Sequence, residues 1–300
     1  MRGALAIIGA GRVGRALGRR LHELGWKVGA VVTRNEASAR KSVRFIGAGK
    51  ARATLSLDVL ASRVILISTP DDAIASVTRT LARIGADELR GKIVMHTSGA
   101  LSAAVLKPLQ DLGAATGSMH PLQSFSGVAV PALDGKMFAM EGDPQAIRCA
   151  RQIIRALGGL PVQIAGPSKP LYHAAAAFAA GHVLAIEEAS VQLLMLAGMK
   201  RTEAVRALLP LTRQVLDNFE RLGPRAAWTG PLARGDFGVV ATHMSAMQRL
   251  PREFLHAYSA LNGLATLVLS SEPSGMRAGW NENSKDPAAG TKAGFAGGKG

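Results

Sequence analysis

The chain has 300 residues, of which 48% are hydrophobic, and it carries a formal net charge of +15 and one cysteine, Cys149. This length and apolar content allow one large domain or two ordinary ones, and two are expected. The single cysteine excludes an intramolecular disulfide, and the first residues lack the pattern of a signal peptide, so a cytoplasmic protein is expected. The most apolar run, residues 174–186, is too short to span a bilayer, so no membrane segment is expected.

The positive charge is concentrated near the start, where residues 1–52 contain twelve Lys and Arg against two acids. Only 4% of residues are aromatic and no Cys/His spacing suits zinc, which argues against a nucleic-acid-binding protein and against a metal site. The charge is therefore interpreted as suited to an anionic small molecule.

The first half alternates short apolar runs with helix-like stretches, which is typical of a parallel sheet covered by helices on both faces. We predict an α/β domain over residues 1–166, with a doubly wound, mainly parallel sheet. A helix is predicted over residues 144–157. The predicted strands are ALAIIG, VGAVVT, VILIST, KIVMHT, ATGSMH, KMFAME and PVQIAG.

The apolar period changes to 3.6 from about residue 168, which predicts an all-α domain over residues 167–270. One long Ala-rich helix opens it, and further helices are predicted at 202–221, 236–249 and 252–269. The small side chains of residues 174–180 suit close helix packing, either in a homodimer or within the chain. Residues 271–300 are Gly-, Ala-, Ser- and Lys-rich and are expected to be disordered.

A G-x-G-x-x-G array of Gly9, Gly11 and Gly14 follows the first strand and opens a helix, the context in which this motif binds dinucleotides. A tight strand-helix turn without a ligand is the alternative. The residues predicted to contact the cofactor here are Gly9, Ala10, Gly11, Arg12, Val13 and Gly14.

The second strand ends in Thr33, Arg34 and Asn35, where a domain that prefers NAD would present an acidic residue to the ribose 2′-hydroxyl. An arginine in this place can pair with a 2′-phosphate, so we predict NADP(H), with Thr33 and Arg34 as contacts. The alternative is that Arg34 is a solvated surface charge.

Polar residues follow two further strands, at the edge of the sheet where ligands of parallel sheets collect. In ISTPDD, Ser68, Thr69 and Pro70 are predicted cofactor contacts, and Asp71 or Asp72 can cap the next helix. In HTSGAL, His96 and Thr97 are predicted cofactor contacts. Ser98 is predicted to bind substrate, with a simple capping role as the alternative.

Three candidate catalytic residues are His120, Lys169 and His173. His120 also follows a strand, whereas Lys169 and His173 lie four residues apart, on one face of the long helix. An ammonium or an imidazole can deliver a proton to a carbonyl that receives a hydride. Lys169 can instead be an exposed residue of the first turn, and the neighbouring Tyr172 can contribute its hydroxyl or merely pack.

The stretch AWTGPLARGD interrupts the helical half. Part of it is ordinary punctuation, because Gly235 permits a tight turn and Asp236 can cap the next helix. Arg234 is predicted to bind a substrate carboxylate, with Thr229 and Asp236 fixing the loop.

The motifs GAGRVG, ISTPDD, HTSGAL, HPLQSF, KPLYHAAAAFA and TGPLARGD, in this order, resemble a family of bacterial Rossmann-like proteins whose C-terminal domain has no assigned function. The resemblance covers residues 1–270, and that C-terminal domain is similar to the helical domain of 6-phosphogluconate dehydrogenase. The wider superfamily includes hydroxyacid dehydrogenases, ketopantoate reductases, pyrroline-5-carboxylate reductases and prephenate dehydrogenases. In its hydroxyacid branch a Lys and an Asn four residues later act at the substrate carbonyl; Lys169 matches the first and His173 replaces the second.

The resemblance implies an NADPH-dependent oxidoreductase that acts on a small carbonyl acid, with a ketopantoate-like 2-keto acid favoured. A homodimer through the helical domain is expected, as is common in the superfamily. The alternatives are an imine reductase of the pyrroline-5-carboxylate type and a non-catalytic NADP-binding sensor or interaction protein.

Overall fold

The computed structural model describes residues 4–270 and divides into two compact units between Leu184 and Ala185. This division lies inside the long helix, later than the predicted boundary at residue 166. The predicted disordered segment, 271–300, lies outside the described residues.

The first unit is built on one eight-stranded sheet. Its strands, numbered in chain order, are β1 (Ala4–Ile8), β2 (Lys27–Val32), β3 (Lys50–Arg52), β4 (Val64–Ile67), β5 (Ile93–His96), β6 (Ala115–Pro121), β7 (Met137–Gly142) and β8 (Leu160–Gln163). Their order across the sheet is β3-β2-β1-β4-β5-β6-β7-β8. All neighbours pair in parallel except β6 and β7, which are antiparallel, so the prediction of a doubly wound, mainly parallel sheet is confirmed. The strand patterns in the sequence missed only β3, which has three residues, two of them basic, and therefore lacks an apolar run.

Helices cover both faces of this sheet because neighbouring strand residues point to opposite sides. Leu5 and Ile7 of β1 belong to one buried cluster, whereas Ala6 and Ile8 belong to the other. The first cluster lies under α1 (Arg12–Glu23), α2 (Glu36–Ile46) and α5 (Pro144–Ala156), and the second under α3 (Asp71–Ile84) and α4 (Lys107–Gln110).

The predicted long Ala-rich helix has no non-helical residue within it, although five of its residues form a π-helical turn. It consists of α6 (Lys169–Ala177), the π turn Phe178–His182 and α7 (Val183–Leu196). By length and composition alone, the helical span Gly166–Leu196 would be able to cross a membrane, although core helices of soluble proteins pass the same test. Only 6% of its most apolar window is buried within the described chain, so its apolar surface is largely exposed.

The remaining helices are α8 (Arg201–Ala227), α9 (Pro231–Arg234), α10 (Phe237–Met247) and α11 (Arg252–Leu269). Three of them match the predicted ones to within a few residues, except that α8 runs on past residue 221; the four-residue α9 lies in the stretch that was predicted to be a loop. Gly223, at φ +77°, kinks the end of α8. The C-terminal half is thus helical, as predicted.

Candidate active site

The loop after β1 requires glycine at two positions. Gly9 has a φ of +83°, and a Cβ there would lie 2.5 Å from the backbone nitrogen of Thr69. At Gly14 a Cβ would lie 2.8 Å from the carbonyl oxygen of Gly9. Both glycines therefore hold the loop against the end of β4, which brings Thr69 beside the first turn of α1.

Gly11 differs, since a Cβ there would meet nothing within 4 Å. It precedes α1, whose N-terminus has no capping side chain and no acid in its first turn. Beside this space, the Oγ1 of Thr69 is buried without a hydrogen-bond partner. Open room, unpaired backbone N–H groups and the positive end of the helix dipole fit the pyrophosphate of a dinucleotide.

The other predicted contacts in this loop have mixed surroundings. Arg12 is exposed at the start of α1 and Val13 is partly buried against the core. Ala10 is buried, and its carbonyl accepts a hydrogen bond from Ser42 Oγ at 3.0 Å, which ties the loop to α2.

Arg34 lies at the end of β2 with a free guanidinium. Its neighbours are engaged, because Thr33 Oγ1 donates to the carbonyl of Asn35 at 2.8 Å and the side chain of Asn35 caps α2 by accepting from Ser38 N at 2.8 Å. Arg34 itself is exposed and pairs with no other residue in the range 4–270. It is thus available to an anionic ligand.

A run of hydrogen bonds connects the ends of β4 and β5. Thr97 Oγ1 donates to Ser68 Oγ at 3.0 Å, and Ser98 Oγ donates to Asp71 Oδ2 at 2.9 Å. Ser98 Oγ also accepts from Leu101 N at 2.9 Å, which closes the turn that follows β5. Pro70, the remaining predicted contact here, is exposed at the N-terminus of α3.

His96 is a structural anchor in this geometry rather than an exposed contact. Its side chain is fully buried; Nδ1 accepts from Ser98 N and Nε2 faces the carbonyl of Ser102, both at 3.2 Å. Burial, and then the charge of Lys169, lower the pKa of His96 to about 3, so it is neutral. Both ring nitrogens are therefore engaged within the protein, and cofactor binding by His96 stays a prediction.

Lys169 is completely buried and held by the ends of β5 and β6. Its Nζ donates to the carbonyl of Ser98 at 2.8 Å and to Ser118 Oγ at 2.6 Å, and Glu141 Oε1 lies 4.0 Å away. Burial lowers the pKa of Lys169 to about 8, against the opposing effect of Glu141 and Asp71. The alternative of an exposed first-turn residue is wrong, because the ammonium group is enclosed by protein atoms. Action of Lys169 at the substrate carbonyl stays a prediction.

Glu141 is a member of this network that sequence reasoning missed. The antiparallel register places it opposite Ser118, whose Oγ donates to Glu141 Oε1 at 3.1 Å. Ala103 N donates to the same oxygen at 2.5 Å. The available signal was an acidic residue inside the apolar strand KMFAME, since acids in such strands are normally paired when buried.

His120, Tyr172 and His173 form a second cluster beside Lys169. His120 Nδ1 lies 2.8 Å from Tyr172 Oη, and the rings of His120 and His173 pack edge to face at 5.8 Å. The loop after β5 approaches these rings closely at Gly99, where a Cβ would lie only 2.5 Å from His173 Cδ2. The structure thus brings together the three candidate catalytic residues and adds Tyr172.

The protonation of this cluster follows from its burial. Burial, and then the charges of His173 and Lys169, lower the pKa of His120 to about 4. Burial raises the pKa of Tyr172 to about 12. At neutral pH His120 is therefore uncharged and the Tyr172 hydroxyl keeps its proton.

The loop of Thr229, Arg234 and Asp236 belongs to the second unit. Arg234 Nε and Asp236 Oδ2 form an exposed ion pair at 3.0 Å, and Gly235 has a φ of +78°. Asp236 begins α10 without a side-chain capping bond, so the expected cap is replaced by the ion pair. Thr229 is exposed. Substrate binding by these three residues stays a prediction.

No group of three or more His, Cys, Asp or Glu side chains is placed to hold a metal ion in the described part of the chain.

Comparison with solved structures finds the same fold in several enzymes. A presumed NADP oxidoreductase of Bacteroides fragilis aligns at 21% identity with a TM-score of 0.73, over 88% of this chain and 97% of that chain. An imine reductase of a Pseudomonas species aligns at 19% identity with a TM-score of 0.65, over 89% and 94%. A reductive aminase of Aspergillus terreus, in complex with NADPH and ethyl-5-oxohexanoate, aligns at 17% identity with a TM-score of 0.66, over 90% and 94%. These likenesses establish the fold.

Family models match nearly all of the described chain, whereas a search of curated proteins found no match. Residues 1–121 match a Rossmann-like domain, and residues 136–264 match the domain of unknown function DUF2520. The chain therefore belongs to the proteins that join an N-terminal Rossmann-like domain to a C-terminal DUF2520 domain.

Proposed function

We propose that this protein is an NADP(H)-dependent oxidoreductase that transfers a hydride to a small carbonyl acid, with a ketopantoate-like 2-keto acid as the first choice. The observation that carries the proposal is a continuous run of contacts along one edge of the sheet. Gly9 packs closely against Thr69, and the neighbouring Ser68 accepts a hydrogen bond from Thr97. The next residue, Ser98, accepts a hydrogen bond from Lys169 Nζ at its carbonyl. A dinucleotide cradle and an acid–base cluster are thus neighbours, as a hydride-transfer site requires.

The cofactor assignment rests on this chain's own residues. The first turn of α1 and Gly11 bind the pyrophosphate, and Thr69 Oγ1 supplies a polar contact beside it. Arg34 binds the 2′-phosphate that distinguishes NADP from NAD. The structure of the reductive aminase with NADPH supports the same cofactor. The nicotinamide, when bound, supplies the hydride.

The proton for the reduced oxygen comes from Tyr172. In the tautomer of His120 that carries its proton on Nδ1, this nitrogen donates to Tyr172 Oη at 2.8 Å and leaves the hydroxyl proton for the substrate. Tyr172 then takes the Nδ1 proton of His120 while His120 Nε2 takes a proton from solvent, so the imidazole stays neutral; the exposed His173 packs beside this ring. Lys169 positions the loop of Ser98 and adds positive potential near the developing negative charge.

Imine reduction is the second candidate, favoured by the enclosure of Lys169. An iminium already carries its proton, so it needs no strong acid beside it, and the uncharged His120–Tyr172 pair suffices. An imine reductase shares the fold. A panel of ketopantoate, other 2-keto acids, pyrroline-5-carboxylate and cyclic imines, followed by loss of NADPH absorbance, separates the two candidates.

The active form that we propose is a homodimer through the helical half. On α8, Leu211, Val215, Phe219 and Leu222 lie on one face and are 45–61% exposed. An apolar stripe at this spacing normally packs against another helix. A second copy, bringing the same stripe, is the occupant that we propose.

Substitution of Gly11 tests the cofactor site directly. Because a Cβ at Gly11 meets no protein atom, Gly11→Ala should fold normally yet bind NADPH at least about 100-fold more weakly, since the methyl occupies the cradle. Gly238→Ala is the matched control, as it also has open space and lies on α10.

Three results would count against the proposal. Unchanged NADPH affinity in Gly11→Ala would refute pyrophosphate binding at this loop. Binding of NADH as tight as that of NADPH would refute the role of Arg34 in binding the 2′-phosphate. NADPH binding without oxidation by any panel member would identify a nucleotide-binding sensor instead of an enzyme.

A further inference from the structure

A separate cavity of about 280 Å³ lies at the opposite edge of the sheet from the candidate active site. Its walls include Val64 and Ile93, the first residues of β4 and β5, and Trp26, which directly precedes β2. These parallel strands end at the candidate active site, roughly 13 Å away for a four-residue strand. The cavity is therefore distinct from the proposed site of hydride transfer.

Helix α5 supplies the remaining wall with one face. Gln145, Arg148, Cys149 and Gln152 are spaced by three, one and three residues, so they lie along one side of the helix. Arg63, the residue before β4, completes the lining. None of the eight lining residues is acidic.

The polar side chains that line this cavity are unpaired among the described residues. Arg63, Arg148, Gln145 and Gln152 form no side-chain hydrogen bond or ion pair with another residue in the range 4–270. Since no lining residue is acidic, the two unpaired guanidinium groups give this cavity a positive charge. Guanidinium and amide N–H groups are the donors that carboxylates and phosphates accept.

The floor of the cavity is apolar. Val64, Ile93 and Cys149 belong to the buried core cluster, and Trp26 packs against that cluster. A ligand here would place its charge between the arginines and an apolar body against the floor and the indole ring.

We propose that this cavity binds a small organic anion, a carboxylate or phosphate monoester carried on an aromatic or other apolar body. The two guanidinium groups bind the anionic oxygens, and Trp26 packs on the body. Hydride transfer at the other edge of the sheet does not require this ligand, so the site serves binding or control rather than chemistry.

Calorimetric titration of the full chain, saturated with NADPH, tests the proposal with two probes, phenyl phosphate and benzoate. We expect saturable binding of at least one probe and none of the neutral analogue benzyl alcohol. Arg63→Gln and Arg148→Gln should each weaken binding about 10-fold, the loss of roughly one charge-assisted bond. Arg155→Gln, an exposed position on α5 that does not line the cavity, should leave binding unchanged.

The only cysteine of the chain provides a second readout at the site itself. Cys149 is 8% exposed, and burial raises the pKa of its thiol to about 11, so it reacts slowly. At mildly alkaline pH the bound probe should protect Cys149 from methyl methanethiosulfonate in the wild type and in Arg155→Gln, but much less in Arg148→Gln.

Several outcomes would overturn this inference: no saturable binding of either probe, wild-type affinity in both arginine variants, or a Cys149 that the bound probe does not protect in the wild type. Binding that appears only without NADPH would place the probe at the nucleotide site instead. Arg148 is exposed on the helix surface, so its variant keeps the test valid if Arg63→Gln fails to fold.

Discussion

The two units differ in how much of their apolar side-chain surface is buried. Almost all the fully buried aliphatic residues lie in the first unit, on the two faces of its sheet. From Ala185 to residue 270, the buried hydrophobic residues are only Val191, Ala204, Ala227 and Met247, while long apolar side chains stay exposed on its helices. A doubly wound sheet encloses its own core, whereas a few helices of this length need another surface to cover them.

The largest expected effect is on assembly. Phe219 is 55% exposed on the apolar stripe of α8, and a charge placed there would be buried in the proposed dimer. Phe219→Glu should convert the dimer to a monomer at micromolar concentration, since burying an unpaired carboxylate costs several kcal/mol. Sedimentation measures this change.

Val128→Glu is the control for that substitution, because Val128 is 88% exposed in the first unit. It should leave the mass unchanged. A wild-type monomer would contradict the comparison between the units, as would a dimer that tolerates Phe219→Glu.

The next effect concerns the buried charge of the first unit. Lys169→Met leaves Glu141 enclosed, with a side chain 11% exposed, without its cation, and should cost about 3–5 kcal/mol in urea unfolding. Adding Glu141→Gln should recover a large part of the loss, because the uncompensated carboxylate is then gone.

The exposed ion pair of Lys107 and Asp111 provides the matched control. Lys107→Met should change the free energy of unfolding by less than about 1 kcal/mol. Similar losses for Lys107→Met and Lys169→Met would show that burial of Lys169 carries no special cost.

Two glycines with nearly the same φ allow the cost of backbone strain to be measured separately from the cost of a steric clash. Gly9 and Gly91 have φ values of +83° and +75°, but only at Gly9 would a Cβ meet other atoms. Gly91→Ala should cost about 1 kcal/mol, and Gly9→Ala roughly 2–4 kcal/mol, because the β4 end must also move. Thermal unfolding measures both, and equal shifts would refute the close packing of Gly9 on Thr69.

The last effect, measured as a slope and not as a single change, is a pH dependence of the first unit. The folded pKa values of His96 and His120, about 3 and about 4, lie below the ordinary value of 6.5. The unfolded chain thus binds more protons, so their contribution to stability is complete above pH 6.5 and decreases as the pH falls towards 4. Each histidine should contribute a slope of roughly 1.4 kcal/mol per pH unit.

Urea unfolding between these pH values checks the slope. His120→Gln should reduce the slope by roughly 1.4 kcal/mol per pH unit, the contribution of one histidine. Lys169 acts in the alkaline range, where its contribution to stability should rise with pH from about 8 to 10.5, because the charged form is the one that burial penalises.

Local sequence patterns were sufficient for most of the elements and for the glycine loop. Short Val- and Ile-rich runs predicted seven of the strands, and the 3.6-residue period predicted the helices of the second half, because both depend on which side chains face water. Gly9 and Gly14 were identified as well, since their conformation and close contacts belong to one strand-loop-helix unit.

Only the tertiary structure decided which polar groups are buried together. The enclosure of Lys169 by Ser98, Ser118 and Glu141 depends on the register of three separate strands. The hydrogen bond between His120 and Tyr172 likewise joins segments far apart in the chain. Folding also brings Arg63 and Arg148, both without a partner among the described residues, to one cavity. The sequence by itself determined a Rossmann-type sheet with a dinucleotide loop followed by helices. The protonation states and the free charges came from long-range packing, because desolvation depends on every segment that surrounds a group.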